Sequence, residues 1–121
     1  MPEVIDLKQK FSQFQEHWLP HVLGNVNNCS IKIAKMLGEF PWHSHDTEDE
    51  LFYVVKGALT IRLRDREIHL TDGQFTIVDA GIEHQPFCEQ EVWVMLFEPE
   101  TTTNTGNLKV SEFTRTDLPE L

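Results

Sequence analysis

From about residue 30 onward the apolar residues recur with period two. In ALTIRLRD, Leu59, Ile61 and Leu63 fall on one face and Thr60, Arg62 and Arg64 on the other. REIHLTDG puts Ile68 and Leu70 on one side with His69 opposite. IKIAKML, QFTIVDAG, QPFCEQ and EVWVMLFEP continue the series. Successive side chains of a strand point to opposite faces, so this alternation predicts strands. Asp65 with Arg66, and Asp72 with Gly73, sit where turns are needed. Many short strands in close succession, after one leading helix, predict an all-β antiparallel sandwich or barrel.

The pattern before residue 30 is different. Leu7, Phe11, Phe14 and Trp18 have the spacing of one helical stripe within residues 5–18, with Asp6 as a candidate N-cap. Pro20 and Gly24 end it. Residues 1–28 therefore read as a short helix or arm on the outside of the domain, residues 29–98 as the barrel, and residues 99–121, polar and turn-rich, as a tail that wraps the surface.

Composition narrows the function classes. A chain of 121 residues suits one domain with one core, and 40% hydrophobic with 25% charged residues is an ordinary globular balance. No apolar stretch approaches the length of a membrane span, and MPEVIDLKQKF has no basic-then-apolar leader, so a cytoplasmic location is expected. The net charge of −10 repels phosphate backbones and anionic lipid, which argues against nucleic acid and membrane as partners. Cys29 and Cys88 are too few for a disulfide framework and read as small buried residues.

The stretch EFPWHSHDTEDELFYVVKG carries the chemistry. In an extended segment His43 and His45 face one way, and Trp42 and Ser44 the other. Two imidazoles on one face can converge on one metal ion. Glu50 can return on the neighbouring strand once DTED makes the turn. A fourth ligand is expected from elsewhere, and His84 stands out because it follows a strand and the tight turn that Gly81 permits. Three imidazoles and one carboxylate leave two open positions on a six-coordinate ion and suit Mn, Fe, Co, Ni, Cu or Zn. Rival motifs fail. HSHDTE has Thr47 and Glu48 where H-x-H-x-D-H needs Asp and His, H-E-x-x-H is absent, and a β/α barrel needs about 250 residues.

These segments resemble the two motifs of the cupin superfamily. The first, G-x5-H-x-H-x3,4-E-x6-G, is matched by Gly38, His43, His45, Glu50 and Gly57, with four residues rather than five after Gly38. The second, G-x5-P-x-G-x2-H-x3-N, is matched by Gly73, Gly81 and His84, with Asp79 in place of proline and Cys88 in place of asparagine. The resemblance spans residues 38–88 and is similar to that of small single-domain cupins described as mannose-6-phosphate isomerase-like. It implies a double-stranded β-helix, or jelly roll, with the metal on His43, His45, Glu50 and His84.

Alternation predicts a pocket lined by Phe52, Ile61, Trp93, Met95 and Phe97, with Val54 on the same face. His17, His21 and His69 are expected to be structural or exposed. Arg62 and Arg64 point away, so the motif region supplies no inward cation for a phosphosugar. Leu51, Tyr53 and Val55 form an outward apolar face that needs the arm or a second subunit as cover, and a homodimer is expected. Two functions fit: a small metalloenzyme, a dioxygenase or isomerase of a small organic molecule, or a non-catalytic metal- or ligand-binding module.

Overall fold

The computed structural model describes residues 2–108 and 112–121; Met1 of the arm and residues 109–111 of the tail lie outside the described residues. One helix, α1 (Leu7–Phe11), precedes seven strands: β1 (His21–Val26), β2 (Cys29–Glu39), β3 (Glu50–Lys56), β4 (Ala58–Leu63), β5 (Glu67–Thr71), β6 (Phe75–Val78) and β7 (His84–Pro99). All ladders among these strands are antiparallel, and the main sheet runs β1-β2-β7-β3-β6, with β4 pairing β5 and β7. This is the antiparallel barrel expected from the alternation, with the jelly-roll architecture that the cupin resemblance implies.

Strand β7 builds both layers. Its first part, His84–Phe87, lies against β4, and its second part, Trp93–Phe97, lies against β3. Strand β2 stays beside it throughout, but Gly38 opposes Cys88 and Met36 opposes Val92, so Glu89–Glu91 face the single residue Leu37. Extra residues on one strand bend it sharply. That bend carries the chain from one layer to the other and leaves the barrel interior between them.

The interior is filled from even positions of β7 and β2. Val92, Val94 and Leu96 join Ala34, Met36, Phe52, Val54, Leu59, Ile61 and Leu70 in one buried cluster. The odd positions face outward into a second cluster, where Trp93, Met95, Val55 and Ile33 meet Phe11 and Phe14 of the N-terminal segment. The rings of Phe11 and Trp93 stack with centroids 4.7 Å apart. Thus the arm covers part of the outward apolar face, while Phe75 and Ile77 of edge strand β6 remain more than half exposed.

Two boundaries differ from the sequence expectation. The helix ends at Phe11 rather than near Trp18, because the following residues bind β2 instead: the Trp18 amide donates to the Lys35 carbonyl at 2.9 Å and His17 bridges Lys35. Asp6 does cap the helix, accepting from the Gln9 amide at 3.3 Å. The barrel also begins earlier than residue 29, since His21–Val26 is strand β1. Its last turn toward β2 passes through Asn27, in the left-handed region at φ 53°.

Candidate metal centre

The H-x-H segment is extended but not part of a long ladder. A single antiparallel bridge pins it, with the His43 amide donating to the His84 carbonyl at 3.1 Å and the His84 amide returning to the His43 carbonyl at 2.9 Å. That pair of bonds brings the two motif regions together. Next to it, the Gly81 amide donates to the His45 carbonyl at 2.7 Å; Gly81 has φ +84°, which lets the turn into β7 close. Glu50 opens β3 with its side chain inward, opposite Val78.

The tail braces the same segment from outside. The Ser44 amide donates to Asn107 Oδ1 at 2.8 Å, and the Asn107 amide donates to the Ser44 carbonyl at 2.7 Å. Gly106 packs so tightly on Ser44 that a Cβ would collide with its carbonyl oxygen. Residues 101–107 thus form a strap across the histidine pair rather than a loose extension.

One ligand atom from each of His43, His45, Glu50 and His84 lies within 4.8 Å of the others, and all four residues are buried. Two atoms each about 2.1 Å from a common ion sit at most about 4.2 Å apart, so only a slight contraction is required. Nε2 of His45 and of His84 lie 3.3 and 3.6 Å from Glu50 Oε1. The donor set is also prepared chemically. Nδ1 of His43 faces the Pro41 carbonyl and Nδ1 of His84 faces the Ile82 carbonyl, each at 2.9 Å. A carbonyl only accepts, so the proton stays on Nδ1 and leaves Nε2 a free lone pair for a cation. His84 Nε2, both ring nitrogens of His45 and Glu50 Oε1 are buried without a hydrogen-bond partner. Orphaned buried donors and acceptors of this kind are costly, and a bound cation resolves the cost.

Electrostatics point the same way. Burial, aided by the neighbouring His84, pushes the His43 imidazole down to about 4, so it is neutral and able to ligate near pH 7. Burial works against ionising Glu50, but the imidazoles of His45 and His84 beside its Oε1 outweigh it and hold the carboxyl below the usual range. Burial, with the Cys88 sulfur among apolar neighbours, pushes that thiol up to about 11 and keeps it inert.

A cavity leads to this cluster. Its volume is about 30 Å³, measured as the space open to the centre of a water molecule, and it is lined by His43, Glu50 and Glu98 at the polar end. Phe52, Met36, Leu96, Trp18 and Phe40 supply most of the apolar wall. Of the residues expected to line it, only Phe52 does. Ile61 is fully buried in the interior cluster but off the cavity. Trp93, Met95 and Phe97 do not line it, a correction with a simple cause: His84 fixes even positions of β7 inward, so these odd residues point to the outer face. His17 is half-buried and 2.7 Å from Glu91, His69 is exposed, and His21 is buried as a structural residue stacked on Phe14 at 4.0 Å.

Sequence reading missed Lys32 and Glu98. They are almost fully buried, with Lys32 Nζ 3.1 Å from Glu98 Oε1. The expectation that the motif region supplies no inward cation fits Arg62, paired to Glu39 and Gln85, and Arg64, stacked on Trp42; Lys32 lies before that region and is buried. The signal was parity: Lys32 shares a face with Ala34 and Met36, and Glu98 with His84 and Leu96. Burial and the adjacent Glu50 carboxylate push Glu98 up, and Lys32 opposes them.

The Cupin domain family model matches residues 32–98. The chain belongs to the cupin family. It is 34% identical over 96 residues to "Uncharacterized protein YdbB" of Bacillus subtilis, covering 66% of this chain and 79% of that one. Among solved structures, this cupin is similar to a cupin-2 domain containing protein from Shewanella frigidimarina, with 40% identity, a TM-score of 0.79, and 80% of this chain and 95% of that chain covered. It is also similar to protein NMB1881 from Neisseria meningitidis, with 26% identity, a TM-score of 0.74, and 81% and 100% covered. Among the described residues no helix is long and apolar enough to cross a membrane.

Proposed function

We propose that this cupin holds one divalent first-row transition metal on His43, His45, Glu50 and His84 and presents it to a small organic molecule entering through the cavity. The carrying observation is the buried donor set itself, four ligand atoms within 4.8 Å with most of their inward lone pairs unpartnered. Three imidazoles and a carboxylate suit Mn, Fe, Co, Ni, Cu or Zn. When bound, such a metal supplies Lewis acidity toward a carbonyl or enediol oxygen. The chain's own residues do the rest. His43 and His84 are oriented by the Pro41 and Ile82 carbonyls, the apolar wall excludes water, and Glu98 places a second carboxyl beside Glu50.

The reading favoured is a small metalloenzyme, an isomerase or dioxygenase. A non-catalytic binding module is the second reading, favoured by a wall whose only ionisable groups among the described residues are His43, Glu50 and Glu98. The half-exposed face of Phe75 and Ile77, beside Leu51 and Tyr53 in the ladder, supports a homodimer. Elemental analysis of protein purified without chelator or a histidine tag tests the metal. About one equivalent per chain is expected. A metal content below about a tenth of an equivalent, with no uptake on titration, overturns it.

A further inference from the structure

Of the three ligand histidines, two have rings oriented by hydrogen bonds and one does not. Nδ1 of His43 and of His84 meet the Pro41 and Ile82 carbonyls, whereas both ring nitrogens of His45 are buried without a hydrogen-bond partner. A metal-ligating imidazole ordinarily gives its other N–H to a fixed acceptor, which sets the orientation of the ring. His45 lacks that support, so its aim depends on where its backbone is held.

The backbone of the H-x-H segment is held from two edges. An extended chain turns the N–H and C=O groups of successive residues to opposite sides. On one edge His43 exchanges two bonds with His84, and the His45 carbonyl accepts from the Gly81 amide. On the other edge lies Asn107. Its Oδ1 accepts from the amide of buried Ser44 at 2.8 Å, and its own amide donates to the Ser44 carbonyl at 2.7 Å. One residue thus does the work of a neighbouring strand, with a side-chain carbonyl standing in for a backbone one. Alanine offers no such acceptor, and glutamine would place it one carbon too far out. The approach also needs Gly106, at φ 57°, because a Cβ there would strike the Ser44 carbonyl and crowd the His43 ring. The strap is tied at its other end too, where Thr101 Oγ1 donates to Glu48 Oε2 at 3.0 Å, just past His45. Of the four ligands, His45 is the one that lines the hollow beneath the strap.

We propose that Asn107 is a positioning residue of the metal centre: through the Ser44 backbone it holds His45 in ligating position, so that docking of residues 101–107 sets how fast the ion leaves. The inference rests on the metal reading above. Linkage makes the coupling mutual, and a bound ion in turn favours the docked strap.

Protein loaded with cobalt(II) tests this. Transfer of the metal to excess EDTA gives the release rate, and the visible absorption of the bound ion reports its ligand geometry. Asn107→Ala is expected to release cobalt about tenfold to a hundredfold faster than wild type, the range for losing an outer-sphere partner, and to change the visible spectrum. Gly106→Ala pushes the strap off Ser44 without altering the Asn107 side chain, and the same result is expected. Asn107→Asp keeps an oxygen that can accept from the Ser44 amide, so its rate and spectrum are expected close to wild type. A merely structural role would lower the urea midpoint of the metal-free protein and leave the cobalt spectrum alone. A wild-type release rate in either alanine variant, an unchanged spectrum in Asn107→Ala, or Asn107→Asp releasing as fast as Asn107→Ala overturns the inference while leaving the metal reading intact. Wild-type protein that takes up no cobalt overturns both.

Discussion

The two faces of strand β7 show what each kind of burial is for. Outward, Trp93 and Met95 are large and apolar and are covered by Phe11 and Phe14 of the N-terminal segment. Inward, the residues are smaller and apolar through Val92, Val94 and Leu96, but His84 at one end and Glu98 at the other are buried and polar. The outer face holds the arm in place by area and ring stacking, which add stability without demanding a partner. The inner face leaves His84 Nε2 without a hydrogen-bond partner and sets Glu98 beside the Glu50 carboxyl, which subtracts from stability and is a cost that a bound cation at the proposed site relieves. The larger side chains hold the arm, and the costly ones lie at the proposed site.

Substitutions on the two faces separate these roles. His84→Ala removes a ligand from the centre, and the greatest effect is expected here: metal retention after dialysis falls by more than about a hundredfold, beyond what loss of an outer-sphere partner costs. His69→Ala, on an exposed ring bonded to Thr60, keeps its metal. Equal metal content in the two variants would show that the inward face has been assigned wrongly. Phe11→Ala acts on the other side. The ring is fully buried and stacked on Trp93, so chemical unfolding should register a loss of about 3–5 kcal/mol. Metal per folded chain should not change. A drop in metal content in parallel with stability would mean the arm and the centre are one unit.

Much of this was legible in the sequence because strands and metal ligands leave strong local signals. Leu59, Ile61 and Leu63 alternate with polar and charged residues, and the structure places Leu59 and Ile61 in the core. His43, His45, Glu50 and His84 carry their spacing openly, and the fold brings them within reach of one another. The misreadings share one physical origin. EVWVMLFEP is apolar at both parities, so alternation within it cannot say which face is inside, and the bulkier set was assigned to the cavity. The decision is made at the start of β7, where the bridge of His43 to His84 sets the phase of the strand. The helical stripe ending at Trp18 failed for a related reason. Its last residues gain more by bonding the Lys35 carbonyl beside β2 than by continuing a short helix, and only tertiary structure reveals that partner. Lys32 and Glu98 escaped notice because charged residues in strands are assumed to face solvent, although each sat in phase with apolar neighbours.

A smaller effect separates the inner face from the outer by acidity alone. In metal-free protein the His43 imidazole is held down to about 4 from its ordinary 6.5, chiefly by burial. Between those values the unfolded chain binds a proton at this ring and the folded chain does not. Stability from His43 is therefore fully present above about pH 6.5 and is lost as pH falls toward about 4, amounting to about 3 kcal/mol. Glu98, whose carboxyl is raised, acts with the opposite sign, since the folded chain takes up its proton first as pH falls. The share of His43 is therefore read as a difference. Urea unfolding of the metal-free wild type and of His43→Gln at pH 7.5, 6 and 5 should show the wild type losing more stability on acidification, with the curves diverging below about pH 6.5. Parallel curves would mean that the ring is solvated in solution, and that its neutrality at the centre is imposed by the metal rather than prepared by the fold.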